Sequence, residues 1–188
     1  MTQFADAIIE IAQRKAPIDP KYKKMKIIRN KKAIMTNKYA DIYKGQKMRI
    51  ESPYLLTLLH SNIEIPGQYR NTKSMPLPNG HAAIAYVEES MLILSSMRAP
   101  KRLTFYGSDS VEYRFLAKSD EDLRNDQRVQ QVFEAMNSIF RSKPDCRKHN
   151  MKVNTFAVVP ITMTAGLIEW VDGTCTLSDT YGPEKKKG

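Results

Sequence analysis

The chain is poor in the residues that build metal centres and disulfide frameworks. Its 188 residues include only two cysteines, Cys146 and Cys175, which lie far apart in the sequence and show no metal-like spacing. Three histidines are present, and we expect no zinc site and no other metal site. Without a secretory context both thiols are expected to be reduced, and a Cys146–Cys175 bridge is the alternative.

Long apolar stretches are also missing. No run of about 18 apolar residues occurs, so a membrane-spanning helix is not expected. The N-terminus MTQFADAIIEIAQRK places Asp6 and Glu10 among its apolar residues and has no basic residue before them, so a secretory signal is not expected either. These absences predict a protein of the cytosol or nucleus without a membrane partner.

Acidic residues are scarce in one segment. Residues 13–49 contain thirteen Lys or Arg and two acids, a local charge of +11, whereas the whole chain carries +10. A basic block of this kind can bind nucleic acid or an acidic protein surface. The alternative is a solvated helix face or an exposed connector.

The apolar pattern changes along the chain. Residues 3–14 have helical spacing, and Ser52-Pro53 is a helix-start signal. Residues 63–80 are rich in Pro, Gly and Asn and indicate an extended connector. We therefore divide the chain into a basic helical segment (1–50), a helix and connector (51–80), a strand-rich region (81–178) and a disordered tail (179–188).

The strand-rich region contains six short β-branched or aromatic runs and one helical pattern. The runs are HAAIAYVEE, SMLILSS, RLTFYGS, VEYRFLAK, KVNTFAVVP and GLIEWV. A helix is predicted over about 121–140 from apolar residues three and four apart, namely Val129, Val132, Phe133, Met136, Ile139 and Phe140. Antiparallel strands with one long helix, preceded by short helices, predict an α+β fold.

The run VEYRFLAK is followed at once by an acidic turn. Strand alternation places Tyr113, Phe115 and Ala117 on one face and Lys118 on the other, at the strand end. Ser119 can cap the following helix, and Glu121 is near enough to pair with Lys118. A strand lysine that meets a carboxylate at a helix start is how kinases hold ATP phosphates. Asp126 points to a different side of the helix, as a solvated acid would.

Two further segments suggest a ligand site. The turn SSMRAPKR offers hydroxyls, N–H groups and a positive charge from Arg98, Lys101 and Arg102, which suits phosphate, although an exposed basic turn explains it equally. Trp170, the single tryptophan, can stack a planar ligand or fill the core at a strand end. No GxGxxG loop is present.

Five runs in order resemble the kinase domain of the phosphatidylinositol 3-kinase-related protein kinases. They are IEIPGQY (63–69), SSMRAPKRL (95–103), FLAKSDEDLRNDQRVQQVFEAMN (115–137), FAVVPIT (156–162) and GLIEWV (166–171). The resemblance covers roughly 52–178 and implies a kinase N-lobe, with a twisted antiparallel sheet and one long helix, at 81–178. Residues 1–50 correspond by position to the segment that leads into the kinase domain.

The resemblance implies an ATP site with a role for each matching residue. Leu94 would lie under the adenine, Ser95 and Ser96 near the phosphates, and Lys118 on the phosphates with Glu121 orienting it. Phe156 would line the back of the pocket, where the family often has Tyr. The other implied positions are Asp126 of the DLRQD-type motif, the hinge Ile168, Glu169, Trp170 and Val171, and Thr176 at the pocket edge. Backbone hydrogen bonds to adenine would come from Glu169 and Val171, and Trp170 would stack on the ring.

The sequence also departs from the family pattern. Ser119 replaces the glycine after the lysine, Asn125 makes DLRND of DLRQD, and Met97 stands where several relatives have Lys, which puts one phosphate contact in doubt. No HRD-like or DRH-like loop and no DFG-like triplet occurs, although a kinase needs these residues for the reaction and for Mg²⁺. The expected piece is thus an N-lobe without its C-lobe, inactive alone, with no catalytic or metal-binding residue of its own.

The resemblance implies a nuclear serine/threonine kinase of the DNA-repair type, acting in non-homologous end joining. Its implied partners are the C-lobe and helical scaffold of the intact protein, DNA-end-binding proteins and DNA. ATP would be the substrate and Mg²⁺ the metal of the intact enzyme. The alternatives are a TOR-like kinase fragment, a basic nucleic-acid-binding module, and a pseudokinase adaptor, against which the Lys118–Glu121 pair argues.

Overall fold

The computed structural model describes residues 2–14, 45–49, 55, 62–69, 80–94, 96 and 98–175. These ranges hold an antiparallel sheet with helices, so the α+β expectation is confirmed. The elements are α1 (Thr2–Gln13), β1 (Gly45–Arg49), β2 (Ile84–Val87), β3 (Ser90–Leu94), β4 (Lys101–Gly107), β5 (Glu112–Ser119), α2 (Arg124–Ser142), α3 (Pro144–Lys148), β6 (Val158–Pro160) and β7 (Ala165–Glu169).

In these ranges the sheet has seven strands, in the order β1-β3-β4-β5-β7-β6, with β2 also paired to β4. β2 and β3 share one edge of β4: Val87 is opposite Phe105, and Leu92 is opposite Arg102. The other edge of β4 pairs with β5 along its length, and β5 pairs with β7. Strands β4 and β5 are therefore central, and β7, which also pairs with β6, has neighbours on both sides that fix its register as well.

Strand β5 has the predicted alternation. Phe115 and Ala117 are buried, whereas Arg114, Leu116 and Lys118 are half-buried on the opposite face. The buried face packs against the apolar side of α1, from which Ile8 is fully buried. The core cluster consists of Ala7, Ile8, Ile11, Ala12, Leu55, Ile65, Ile84, Val87, Met91, Ile93, Leu103, Phe105, Phe115, Ala117 and Leu167.

The described part of the connector, 62–69, packs against this core. The Ile65 N–H donates to the Ala82 carbonyl (2.9 Å), and the Gln68 amide donates to the same carbonyl (2.7 Å) and accepts from the Ala82 N–H (2.8 Å). Gly67 has φ +83°, and a Cβ there would lie 2.5 Å from the Ala157 Cβ. The glycine of IPGQY is therefore required both by its backbone conformation and by its close neighbour.

The long helix begins later than the sequence pattern predicts. It runs from Arg124 to Ser142, and the proposal that Ser119 caps it is wrong, because Ser119 is the buried last residue of β5. Asp120 has φ +60°, which turns the chain away from both strand and helix, and the Asp122 carboxylate accepts the Arg124 N–H at 3.1 Å. The helix stops before Lys143-Pro144, as expected.

Several apolar side chains of α2 face away from the described core. The exposed fraction is 48% for Val129, 58% for Val132, 37% for Met136 and 56% for Ile139. The run KVNTFAVVP is a strand only over Val158–Pro160. Residues 151–157 have no regular secondary structure, and side chains of α2 bond to the backbone of Val153 and Phe156.

Cys146 and Cys175 are not joined to each other, so the alternative of a disulfide between them is wrong. No helix in the described ranges is both long enough and apolar enough to cross a bilayer. The predictions for most of 13–49, for the helix after Ser52-Pro53 except Leu55, for Ser95, Met97 and Thr176, and for the tail 179–188 fall outside the described residues.

Candidate functional site

The sheet face opposite α1 carries the candidate site. Arg102, Leu116 and Ile168 are cross-strand partners in one row across β4, β5 and β7, and side chains in such a row lie on the same face. In the next row Lys118 pairs with Gly166, where a Cβ would lie 2.6 Å from the Val159 carbonyl oxygen. A Cβ there would also lie 2.9 Å from Leu123 Cδ1, so the close packing of β6 and Leu123 requires glycine at this position beside the lysine.

Lys118 and Glu121 form the ion pair that the sequence suggests. The Lys118 ammonium donates to Glu121 Oε2 at 2.8 Å, with about a quarter of each side chain exposed. The other oxygen of Glu121 pairs with the Arg98 guanidinium, which the sequence did not indicate. The hydrogen bond from Lys118, and then the charge of Arg98, hold the pKa of Glu121 below its ordinary value of 4.5, against the effect of burial. One carboxylate thus orients two cations from different elements.

The turn between β3 and β4 is closed by backbone hydrogen bonds. The Leu94 N–H donates to the Pro100 carbonyl, and the Ala99 N–H donates to the Ser96 carbonyl, each at 3.0 Å. Ala99 has φ +41°, which reverses the chain within a few residues. Ser96 is exposed, and Leu94 is half-buried at the end of β3. The pair between Arg98 and Glu121 draws this turn toward Lys118.

The expectation that Lys101 and Arg102 add positive charge to this turn is wrong. Lys101 begins β4 and points to the α1 face, where it is 3% exposed and its ammonium donates to the Ala12 carbonyl at 2.6 Å. Arg102 points to the opposite face, and its guanidinium lies 5.2 Å from the centroid of the Trp170 ring. Because successive strand residues face opposite sides, Lys101 and Arg102 lie on the two faces of the sheet. Of the three cations that the sequence suggested, Arg98 remains on the turn.

The segment from Glu169 to Val171, at the end of β7, is bonded on one side to β5 and on the other side to the residue before β6. The Trp170 N–H donates to the Arg114 carbonyl of β5, and the Glu169 N–H donates to the Ala157 carbonyl, each at 2.8 Å. Among the described residues the Val171 N–H donates to no acceptor. The Arg114 side chain holds Asp172 through two contacts of 3.0 and 3.1 Å, which fixes the path of the chain after Val171.

Helix α2 holds the segment that contains Phe156. Asn137 is 6% exposed, and its amide both donates to the Val153 carbonyl and accepts from the Val153 N–H, each at 2.8 Å. Gln130 accepts the Phe156 N–H at 3.2 Å. Phe156 is half-buried and directly precedes Ala157, the partner of Glu169.

The structure brings together some of the expected positions. Lys118 and Ile168 belong to the adjoining strands β5 and β7, and Leu94 ends β3, which β4 separates from β5. Glu121 meets Lys118, and Phe156 borders the Glu169–Val171 segment through Ala157. Asp126 lies exposed in the first turn of α2, and no described contact connects it to Lys118. In the described residues no group of three His, Cys, Asp or Glu is arranged to hold a metal ion.

Comparison with known proteins gives a family match. Residues 112–187 match the family model described as phosphatidylinositol 3- and 4-kinase. The chain is 45% identical over 128 residues to the DNA-dependent protein kinase catalytic subunit of Mus musculus, and 42% identical over 128 residues to that of Gallus gallus. Both alignments cover 68% of this chain and 3% of the relative.

A further kinase and a solved structure are also similar. The serine/threonine-protein kinase mTor of Drosophila melanogaster is 31% identical over 138 residues, which cover 72% of this chain and 5% of that protein. The structure titled "FAT and kinase domain of CtTel1" superposes with a TM-score of 0.73 at 26% identity, over 95% of this chain and 12% of that one. The chain therefore spans a small part of each of these relatives.

Proposed function

Because this chain belongs to the phosphatidylinositol 3-kinase-related protein kinase family, we propose that it binds ATP on the sheet face opposite α1. The observation that carries the proposal is the Lys118–Glu121 ion pair at 2.8 Å, next to the 94–100 turn that Arg98 draws toward it. An ammonium held by a carboxylate at a strand end is a point charge that can contact phosphate oxygens. Leu94, Leu116 and Ile168 supply an apolar floor for the base.

The residues present fit the nucleotide. The Val171 N–H has no acceptor in the described structure and can donate to a ring nitrogen of adenine, and the Trp170 indole is partly exposed for stacking. Lys118 and the turn around Ser96 would meet the phosphates, with Ser95 and Thr176 proposed as further contacts. Mg²⁺ would neutralise charge on the phosphates in the intact enzyme, and its family ligands are absent from this sequence.

For the intact protein we propose transfer of the ATP γ-phosphoryl group to serine or threonine of protein substrates, in the nucleus, during non-homologous end joining. The identity to the DNA-dependent kinases supports this assignment over a TOR-like one, because it is 45% against 31%. DNA, DNA-end-binding proteins, a C-lobe and a helical scaffold are the proposed partners. The 188-residue sequence contains no DRH-like or DFG-like motif, and we propose that this chain does not transfer phosphate alone.

The test is nucleotide binding by the 188-residue chain. A non-hydrolysable ATP analogue should raise the unfolding temperature, and the shift should grow with the logarithm of its concentration above the dissociation constant. Lys118→Ala should abolish this shift, whereas Lys152→Ala, a change at an exposed lysine, should leave it intact. An equal shift in wild type and Lys118→Ala would contradict the assignment of the pocket, and no shift in wild type would contradict the function.

A second candidate rests on the charge of +11 over residues 13–49. If this segment binds DNA, affinity for duplex DNA should fall steeply as salt is added, because bound phosphates release their counterions. Absent or salt-insensitive binding would exclude this role, and it would leave the nucleotide site untouched.

A further inference from the structure

Strands β6 and β7 form a regular antiparallel ladder, but the pair of residues that would extend it makes only one of the two expected backbone hydrogen bonds. Val158 pairs with Ile168 and Val159 with Leu167, so the next partners in register are Ala157 and Glu169. In such a hydrogen-bonded pair each residue donates its N–H to the carbonyl of the other. The Glu169 N–H does donate to the Ala157 carbonyl, at 2.8 Å.

The reciprocal bond is replaced by a side chain. The Ala157 N–H donates to Glu169 Oε2 at 2.7 Å, and not to the Glu169 carbonyl. The N–H and C=O of one strand residue point to the same side, and the Glu169 N–H points to Ala157, so the Glu169 carbonyl also faces that side rather than β5. The neighbouring Trp170 N–H bonds to Arg114 on the β5 side, in agreement with this alternation.

Among the residues that the structure describes, no N–H donates to the carbonyl of Glu169, which is therefore an available acceptor. It is two residues before the Val171 N–H, which donates to no acceptor among the described residues. A free carbonyl and a free N–H at this spacing match the exocyclic amine and the adjacent ring nitrogen of an adenine base. If the Ala157 N–H donated to the Glu169 carbonyl, as in a regular ladder, the amine of a ligand would have to compete with it for that carbonyl.

We propose that the Glu169 carboxylate is a positioning group that takes the Ala157 N–H and thereby keeps the Glu169 carbonyl open for a 6-amino group on the bound purine. The inference rests on the proposed nucleotide site and adds to it a source of base selectivity. The side chain itself need not touch the nucleotide. Substitution by alanine should let the Ala157 N–H close the ladder onto the backbone carbonyl.

The experiment compares two nucleotides on the 188-residue chain: ATP, and purine riboside triphosphate, which lacks the 6-amino group. Glu169→Ala should weaken ATP binding about tenfold, the loss of one good hydrogen bond, and leave purine riboside triphosphate within about twofold. Glu169→Gln keeps an acceptor oxygen in the same place and should keep ATP binding near wild type. The Ala157 amide proton should also change its chemical shift between wild type and Glu169→Gln, since a charge-assisted bond becomes neutral.

The outcomes separate the two levels of the proposal. Selective loss of ATP in Glu169→Ala with rescue in Glu169→Gln supports the positioning role. Equal loss of both nucleotides, or no loss of either, overturns it while the nucleotide site stands. If wild type binds neither nucleotide, the proposed function fails, and the positioning role fails with it.

Discussion

The guanidinium of Arg102 lies over the indole of Trp170, 5.2 Å from the ring centroid, and so connects β4 to the chain that follows β7. The two residues flank β5, whose Arg114 carbonyl accepts the Trp170 N–H. The indole that the resemblance assigns to stacking on adenine thus already stacks on a cation. The orientation of the indole therefore depends on Arg102, a residue that the sequence pattern did not connect with Trp170.

Replacement of Arg102 should be visible through Trp170, the single tryptophan of the chain. Arg102→Met keeps much of the bulk and removes the charge, so it should lower the free energy of unfolding by about 0.5–1 kcal/mol and change the tryptophan emission of the native state. Arg102→Lys should retain part of the interaction. Urea unfolding followed by fluorescence measures both quantities, and an unaltered emission in Arg102→Met would show that the contact is not formed in solution.

Glu121 should contribute stability that depends on pH. Its pKa lies below the ordinary value of 4.5 in the folded chain, because Lys118 and Arg98 stabilise the ionised form. The contribution should be complete above about pH 4.5 and should disappear as the pH falls through the lower folded pKa. The difference in unfolding free energy between wild type and Glu121→Gln should follow that course. In a Lys118→Met background the pH dependence should shrink, and a persistent dependence there would point to another partner.

Lys101 should show the opposite kind of shift. Burial lowers its pKa from the ordinary 10.5, although the charge of Asp120 opposes the shift. The folded chain therefore loses the proton more readily than the unfolded chain, and stability relative to Lys101→Met should rise with pH between the lowered value and 10.5. Urea unfolding at about pH 8 and about pH 10 tests this. The control is the same comparison between wild type and Lys152→Met, a change at an exposed site. If the stability difference between wild type and Lys101→Met does not vary with pH, the ammonium of Lys101 is in contact with water.

Two glycines with positive φ provide a matched comparison. Gly67 has φ +83° and faces the Ala157 Cβ at 2.5 Å, whereas Gly173 has φ +72° and a Cβ there would meet nothing within 4 Å. Gly67→Ala should be the more destabilising by several kcal/mol, because it adds overlap to backbone strain, and Gly173→Ala should cost about 1 kcal/mol. Thermal or urea unfolding gives both values.

The overlap and the backbone strain at Gly67 can then be separated. Adding Ala157→Gly to Gly67→Ala should restore the part caused by the Cβ contact. If the double variant is no more stable than the sum of the single changes predicts, the packing of 62–69 on Ala157 is wrong.

Local patterns in the sequence were sufficient for the central strands and for one ion pair. The alternation of Phe115 and Ala117 against Lys118 set the faces of β5, and Glu121 lay close enough along the chain to reach Lys118. The start of α2 was misplaced because Ser119 belongs to β5 and the chain turns at Asp120 (φ +60°), so the helix begins only at Arg124.

Contacts between distant residues were not predictable in the same way. The Lys101 ammonium bonds to the carbonyl of Ala12, 89 positions away in the sequence. The face to which its side chain points depends on the register of β4, which begins at Lys101. The carboxylate of Glu169 takes the Ala157 N–H at the point where the ladder ends, since β6 begins one residue after Ala157. Such contacts arise from register and packing, which a single sequence does not specify to one residue.

Helix α2 is connected to both ends of the candidate site. Its N-terminal side follows directly from the turn that carries Glu121, and its middle holds residues 153–156 through Asn137 and Gln130, next to the Ala157 that binds Glu169. A rotation or translation of this one helix would therefore move Glu121 and the Ala157–Glu169 contact together, which are the two ends of the proposed nucleotide site. A partner that contacts the exposed apolar side chains of α2 would act on both ends at once.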